Sequence, residues 1–335
     1  MRFGLALPHY DFSSPDGAPV SWERLAASAR RAEELGFDSV WISDHFFLTL
    51  ERYGGGPDRY GAAEPMTALA GLATVTERVR LGTLVLCTGF RHPALVAKSA
   101  ATIDLLSGGR LDVGVGAGWY EDEYRAFGYD FGTTGERFEI LEETVEVLAR
   151  LFGGEEPVNW EGRRFRLEAA YNHPRPVQKR LPLWVGGKGG PRLLRLVARR
   201  ADGWNTVWAW TVEDYAERAR ALDEACRRAG RDPGEVRRSV GLYTLVGEDR
   251  ADLEARFRAL QRWTPGGALD GVSLDEWAGD KLVGTTDEVV ERLERFASVG
   301  VGEMIVSAAS LPFAVYDESM LDLMAEAVIP AARDL

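Results

Sequence analysis

The sequence predicts an α/β fold, a single (β/α)8 TIM barrel over residues 1–335 with insertions near 46–64, 153–180 and 264–283. Three observations predict it. Eight short apolar runs of strand character alternate with stretches of helical periodicity, the pattern of parallel strands joined by right-handed crossovers. No linker, internal repeat or low-complexity segment divides the 335 residues, a length that suits one barrel with insertions. Glycine, aromatic and polar residues gather just after the strand runs, where a parallel barrel carries its chemistry. The competing architecture, an open doubly wound sheet, requires a topological switch point and often a second domain.

Residues 2–9 read as the first strand, stopped by Pro8. Ser21 caps a helix to about Gly36, with Glu23 in its first turn and Leu25, Ala29, Ala32 and Leu35 at helical spacing. In residues 39–46, Val40 and Ile42 face one way as strand residues do, and the run presents Asp44 and His45 at its carboxyl end. A glycine-rich loop without secondary structure follows over 53–62, of a length usual for lids and binding loops. Helices are predicted over 65–77, 94–106, 135–152, 192–200, 212–229, 253–263, 286–298 and 319–332. The remaining strands are 81–88, 111–118, 183–187, 203–208, 238–246 and 303–307. A small excursion turns at Glu161-Gly162, and 264–281 reads as irregular.

The net charge of -12 argues against general binding of nucleic acid or anionic membranes, both of which rest on a basic surface. Cys87 and Cys226 make neither a disulfide framework nor a zinc pattern, so no metal site is expected. With no leader-like or membrane-spanning run, a soluble cytoplasmic protein is the expectation.

If the strands run in parallel, their carboxyl ends bring together an apolar and aromatic mouth with few ionisable groups. His9, His45 and His92 all lie at or just after strand ends, where core packing does not explain them. Such a mouth suits a flat aromatic cofactor better than a sugar. An Asp-His pair commonly does no more than cap a helix; His45 is the candidate proton carrier because imidazole exchanges protons near neutral pH, with Asp44 orienting it or touching the cofactor.

Two glycine clusters differ in meaning. Gly114-Val115-Gly116-Ala117-Gly118 looks like a dinucleotide fingerprint, but it follows three β/α units and no acidic strand end lies about 20 residues on. Tight packing of the strand end explains it better. Gly186-Gly187-Lys188-Gly189-Gly190, followed by Pro191 and Arg192, places a glycine turn before a helix start. That arrangement leaves backbone amides free at a positive helix end, suited to a cofactor phosphate with Lys188 or Arg192 adding charge. A plain tight turn is the alternative. The basic run Arg163, Arg164, Arg166, Arg175, Lys179 and Arg180 is either a solvated surface or a receptor for an acidic cofactor tail, and Glu142, Glu143 and Glu146 read as solvent-facing.

Taken together, residues 32–41, Ser43-Asp44-His45, Leu81-Gly82-Thr83, 114–119, 182–187 and 201–204 resemble the luciferase-like monooxygenase family, a barrel superfamily of flavin and deazaflavin enzymes. The Trp-x-Ser-Asp-His-Phe form is most similar to the branch that uses coenzyme F420. The resemblance implies that the cofactor ring stacks at the end of the third strand, at Leu84 and Val85, where the family often carries a non-proline cis peptide. It implies phosphate and tail contacts from Ala117, Gly118, Gly189 and Gly190, with Asp44, Trp119, Gly187 and Lys188 completing the expected cofactor set. One position departs: the sugar-phosphate dehydrogenases of this branch carry a catalytic glutamate where this chain has Trp119, which argues against sugar-phosphate oxidation.

The expected activity is therefore hydride transfer between F420 and a small, mostly apolar organic substrate, with His45 and Asp44 as the catalytic pair. The alternatives are a monooxygenase using reduced FMN from a partner reductase, and a barrel that binds cofactor without turnover. A homodimer is expected from the resemblance.

Overall fold

The computed structural model describes residues 1–154 and 156–335. Eight strands build a ring: β1 Arg2–Ala6, β2 Ser39–Ile42, β3 Arg80–Thr83, β4 Leu111–Gly116, β5 Leu183–Gly186, β6 Gly203–Trp208, β7 Arg237–Gly247 and β8 Glu303–Ser307. Every neighbouring pair is parallel, and β8 returns to β1 with Arg2 opposite Glu303 and Leu5 opposite Val306. That last pairing closes the barrel and excludes the open sheet. Residues buried on both faces account for the near-continuous apolar strand runs, since helices cover the outside and side chains fill the inside.

The amino end of the ring is plugged by two indoles. Trp41 and Trp184 meet edge to face with centroids 5.9 Å apart. Glycine at 4, 82 and 203 makes the room: a Cβ there would lie 2.7, 2.2 and 2.2 Å from an indole atom. The indole N–H groups find buried acceptors, Trp41 donating to Ser39 and Trp184 to Asp112 at 3.0 Å. Those polar groups are in turn held by arginines, Arg2 on Glu303 at 3.0 Å and Arg80 and Arg237 on Asp112. Buried carboxylates need such partners. This floor is filled by packed and hydrogen-bonded side chains, which leaves the carboxyl end as the open one.

The predicted Ser21 cap holds in its physical detail, and the helix expected from 135 starts at Thr134 behind a cap the sequence reading did not name. Ser21 accepts from the Arg24 amide, and Thr133 forms a capping box with Glu136. Helix Glu121–Phe127 was not expected from the sequence, although the acids 121–123 and Gly128, left-handed at φ 75°, are an acidic first turn and a glycine stop. The glycine-rich loop also carries order: Arg59–Gly61 pairs antiparallel with Phe47–Thr49. In the 153–180 region Val158–Glu161 pairs antiparallel with Arg166–Ala170. In the 264–283 region Leu274–Ala278 is a helix capped by Ser273, and Leu282–Thr285 adds a strand to the outer half of β7.

Glu142, Glu143 and Glu146, expected to face solvent, fasten other elements. Glu142 holds Arg192 through two bonds of 2.8 Å, Glu146 holds Arg200, and Glu143 accepts from the amides of 163–165. Much of the basic run is likewise matched to acids, Arg163 and Arg164 to Glu139, Arg175 to Glu156 and Arg180 to Asp202. Among the described residues no helix is long and apolar enough to cross a membrane.

Candidate active site

The three strand-end histidines separate once folded. His9 is wholly buried; its Nδ1 lies 2.8 Å from the Leu7 carbonyl and its Nε2 2.9 Å from Ser43 Oγ. A carbonyl only accepts, so the proton is on Nδ1 and Ser43 donates to Nε2, while Tyr10 donates to Ser43 over 2.6 Å. Burial drives the His9 pKa from 6.5 down to about 3. His92 is the cap of helix Pro93–Ser107, accepting from the Ala94 amide. Burial in the core thus accounts for His9, against the expectation, whereas His92 is exposed and serves as a helix cap.

His45 is different. It is half-buried, ringed by Trp119, Tyr10 and Tyr120 at centroid distances of 5.7, 6.2 and 6.3 Å. Its Nδ1 sits 2.7 Å from Oε2 of Glu123, a residue only 1 % exposed. The other Glu123 oxygen accepts from the amides of Phe46 and Phe47. A carboxylate oxygen accepts, so Nδ1 carries the proton toward Glu123, and among the described residues Nε2 has no hydrogen bond to the protein.

Asp44 does not orient His45. It accepts from both guanidinium nitrogens of Arg91 and from the Cys87 amide at 2.8 Å. Burial pushes its carboxyl above the usual carboxylate range, with Arg91 and the Cys87 amide opposing. Asp44 thereby ties β2 to the segment Leu84–Cys87. In that segment the Leu84–Val85 peptide bond is cis, the Leu84 amide donates to the Ile42 carbonyl at 2.8 Å, and Leu86 rejoins the sheet opposite Val115.

The first glycine cluster is explained by packing, as expected. A Cβ on Gly116 or Gly186 would lie 2.7 Å from the Val85 side chain, so these glycines seat Val85 inside the mouth. Gly118, at φ 77°, would bring a Cβ to 2.3 Å from the Tyr124 hydroxyl and 2.7 Å from Cys87 Sγ. Cys87 and Tyr124 are themselves hydrogen bonded at 2.9 Å, and burial lifts the thiol to about 12.

The second cluster leads into helix Pro191–Arg200, whose cap Gly190 supplies no side chain. A Cβ on Gly190 would meet nothing within 4 Å, so the amide end of this helix is open to an approaching anion. Lys188 lies beside it, over the Trp210 ring at 4.8 Å. Arg192, proposed from the sequence as an alternative source of charge, is committed to Glu142. Free amides beside a lysine fit a cofactor phosphate. Further round the mouth, Trp208 stacks on Tyr243 at 5.4 Å and meets Phe313 edge-on at 5.2 Å.

His45, Ala117, Gly118, Trp119 and Gly187–Gly190 thus all lie at the same, carboxyl end of the ring, as do Asp44, Leu84 and Val85. Glu123 is the third of three consecutive acids, and nothing in the sequence sets it apart from Glu121 and Asp122, so the sequence reading did not single it out. Among the described residues no group of His, Cys, Asp and Glu could hold a metal ion.

A closed ring with a polar dyad at the strand ends defines a β/α-barrel enzyme. The chain belongs to the luciferase-like monooxygenase family, whose model matches residues 1–303. It is 32% identical to an F420-dependent glucose-6-phosphate dehydrogenase of Intrasporangium calvum over 327 residues, covering 91% of this chain and 93% of that one. Among solved structures, an F420-dependent secondary alcohol dehydrogenase in complex with an F420-acetone adduct superimposes with a TM-score of 0.76 at 25% identity, covering 99% of each chain. A monooxygenase from Streptomyces bottropensis matches with a TM-score of 0.76 at 27% identity, covering 98% of this chain and 99% of the other.

Proposed function

We propose that the protein is an F420-dependent oxidoreductase acting on a small organic substrate with a mostly apolar body. The observation that carries this reading is the His45–Glu123 pair, placed at the aromatic mouth beside Trp119 with one imidazole nitrogen left for chemistry. The relatives named for F420 support the cofactor.

When bound, the deazaflavin gives or takes a hydride. The chain's part is to hold the reactants and move one proton. Leu84 and Val85 present a backbone shelf that Asp44 fixes through the Cys87 amide. The open amides at Gly190 and the Lys188 ammonium would hold the cofactor phosphate. Nε2 of His45 takes the proton of a substrate hydroxyl when the substrate is oxidised, or gives its proton to a carbonyl oxygen when the substrate is reduced, while Glu123 holds the tautomer and stabilises the imidazolium form. Trp119, Trp208, Tyr243 and Phe313 exclude water around the substrate, and Trp119 removes the carboxylate that the sugar-phosphate reading needs.

Fluorescence titration with F420 and with FMN tests the assignment. Tight F420 binding followed by F420 reduction with a secondary alcohol, or its oxidation with a ketone, supports it. Tight FMN binding with no F420 affinity sinks it and favours a monooxygenase fed by a reductase, the reading closer to the Streptomyces neighbour.

A further inference from the structure

We infer that Arg52 and Trp119 form a recognition site for a carboxylate carried on a planar, apolar substrate; the inference rests on the function proposed above and narrows its substrate class. Arg52 lies in the turn Glu51–Tyr53 of the first insertion, and its guanidinium sits 4.7 Å over the Trp119 ring. The same ring stands 5.7 Å from the His45 imidazole. With Arg52 over the ring and Tyr120 stacked on it at 5.2 Å, a molecule set against the exposed edge of Trp119 has the proton carrier and a guanidinium as neighbours.

Arg52 makes no hydrogen bond or ion pair among the described residues, and Trp119 is 46% exposed, in a chain of net charge -12 whose arginines are for the most part matched to acids. Asp280, whose charge acts on Lys188, is itself paired with Lys281 at 2.6 Å. Lys188, the second cation near the mouth, lies over Trp210 and has the helix start at Gly190 beside it for the cofactor. Arg52 is left with five donors and no acceptor, on a loop braced where Thr49 meets the Tyr120 hydroxyl at 3.0 Å and where Gly54 packs on Ala268. A planar fork already seated on an aromatic face suits a carboxylate bonded through two parallel N–H groups, and the indole suits the conjugated body attached to it.

The test compares cinnamate with its neutral isostere cinnamamide by calorimetric titration of the F420-loaded protein, its loading verified by F420 fluorescence. Cinnamate should bind roughly tenfold or more tightly than the amide, a preference lost in Arg52→Met and reduced in Arg52→Lys, which keeps the charge without the fork. F420 affinity should be unchanged in both variants. Equal binding of the two probes, a preference that survives Arg52→Met, or a loss of F420 affinity in Arg52→Met overturns the assignment. Failure of F420 to load removes the proposed cofactor instead, and the same titrations on the cofactor-free chain still read Arg52.

Discussion

His45 Nδ1 and Glu123 Oε2 lie 2.7 Å apart although 78 positions separate the two residues, and the same carboxylate holds the amides that follow His45. One buried carboxyl thus sets the imidazole's tautomer, its orientation and the path of the chain leaving β2. Glu123→Gln keeps the shape but sets an amide N–H against either the imidazole N–H or the backbone donors. It should lower kcat about 10²-fold and alter the pH profile of kcat, while F420 affinity stays within about threefold. A purely structural role for Glu123 predicts lost F420 binding with an unaltered pH profile in whatever protein still folds.

His45→Asn tests the proton step itself. With F420 bound as in the parent protein, kcat should fall about 10²- to 10⁴-fold, the usual contribution of a positioned acid or base. Unchanged turnover would remove His45 from the mechanism.

Buried, neutral His9 makes the fold sensitive to acid. The unfolded chain takes up a proton near pH 6.5 that the folded protein resists to about pH 3. Its contribution is complete above pH 6.5 and is lost as pH falls toward 3, by up to about 1.4 kcal/mol per pH unit. Urea denaturation of the parent and of His9→Gln between pH 7 and 4.5 should give a shallower decline in the variant. Parallel declines would contradict the assignment of a neutral, buried His9.

Gly118→Ala should destabilise by about 1 to 3 kcal/mol, because a Cβ at φ 77° collides with the Tyr124 hydroxyl and Cys87. Removing the hydroxyl in Gly118→Ala/Tyr124→Phe should recover part of the loss. If the double variant melts no higher than the single one, backbone strain and not the collision is the cause.

At the other end of the ring, Trp184→Ala empties the floor and leaves Asp112 without one of its donors. A cost of about 3 to 5 kcal/mol is expected from calorimetry, with F420 affinity retained in the folded fraction. Loss of F420 affinity in that fraction would mean that the floor and the mouth are coupled.

The sequence by itself determined the ring and its working end. Apolar runs such as 39–42 and 303–307, glycine stops and caps such as Ser21 are local signals, and their alternation leaves few ways to bury both faces of eight strands. It also placed Asp44, His45, Trp119 and Lys188 at one mouth, because a residue just past a parallel strand has nowhere else to go, while Leu84 and Val85 came only from the family resemblance. Only the tertiary structure decided which of these groups meet. Glu121, Asp122 and Glu123 are chemically near-identical neighbours, yet one is buried against His45 and two are not, since helix rotation assigns the face. Likewise Asp44, adjacent to His45 in the chain, points to Arg91, and Arg192 turns outward to Glu142. Partnership between charges depends on distances of a few ångströms across the fold, and one-dimensional spacing does not contain them.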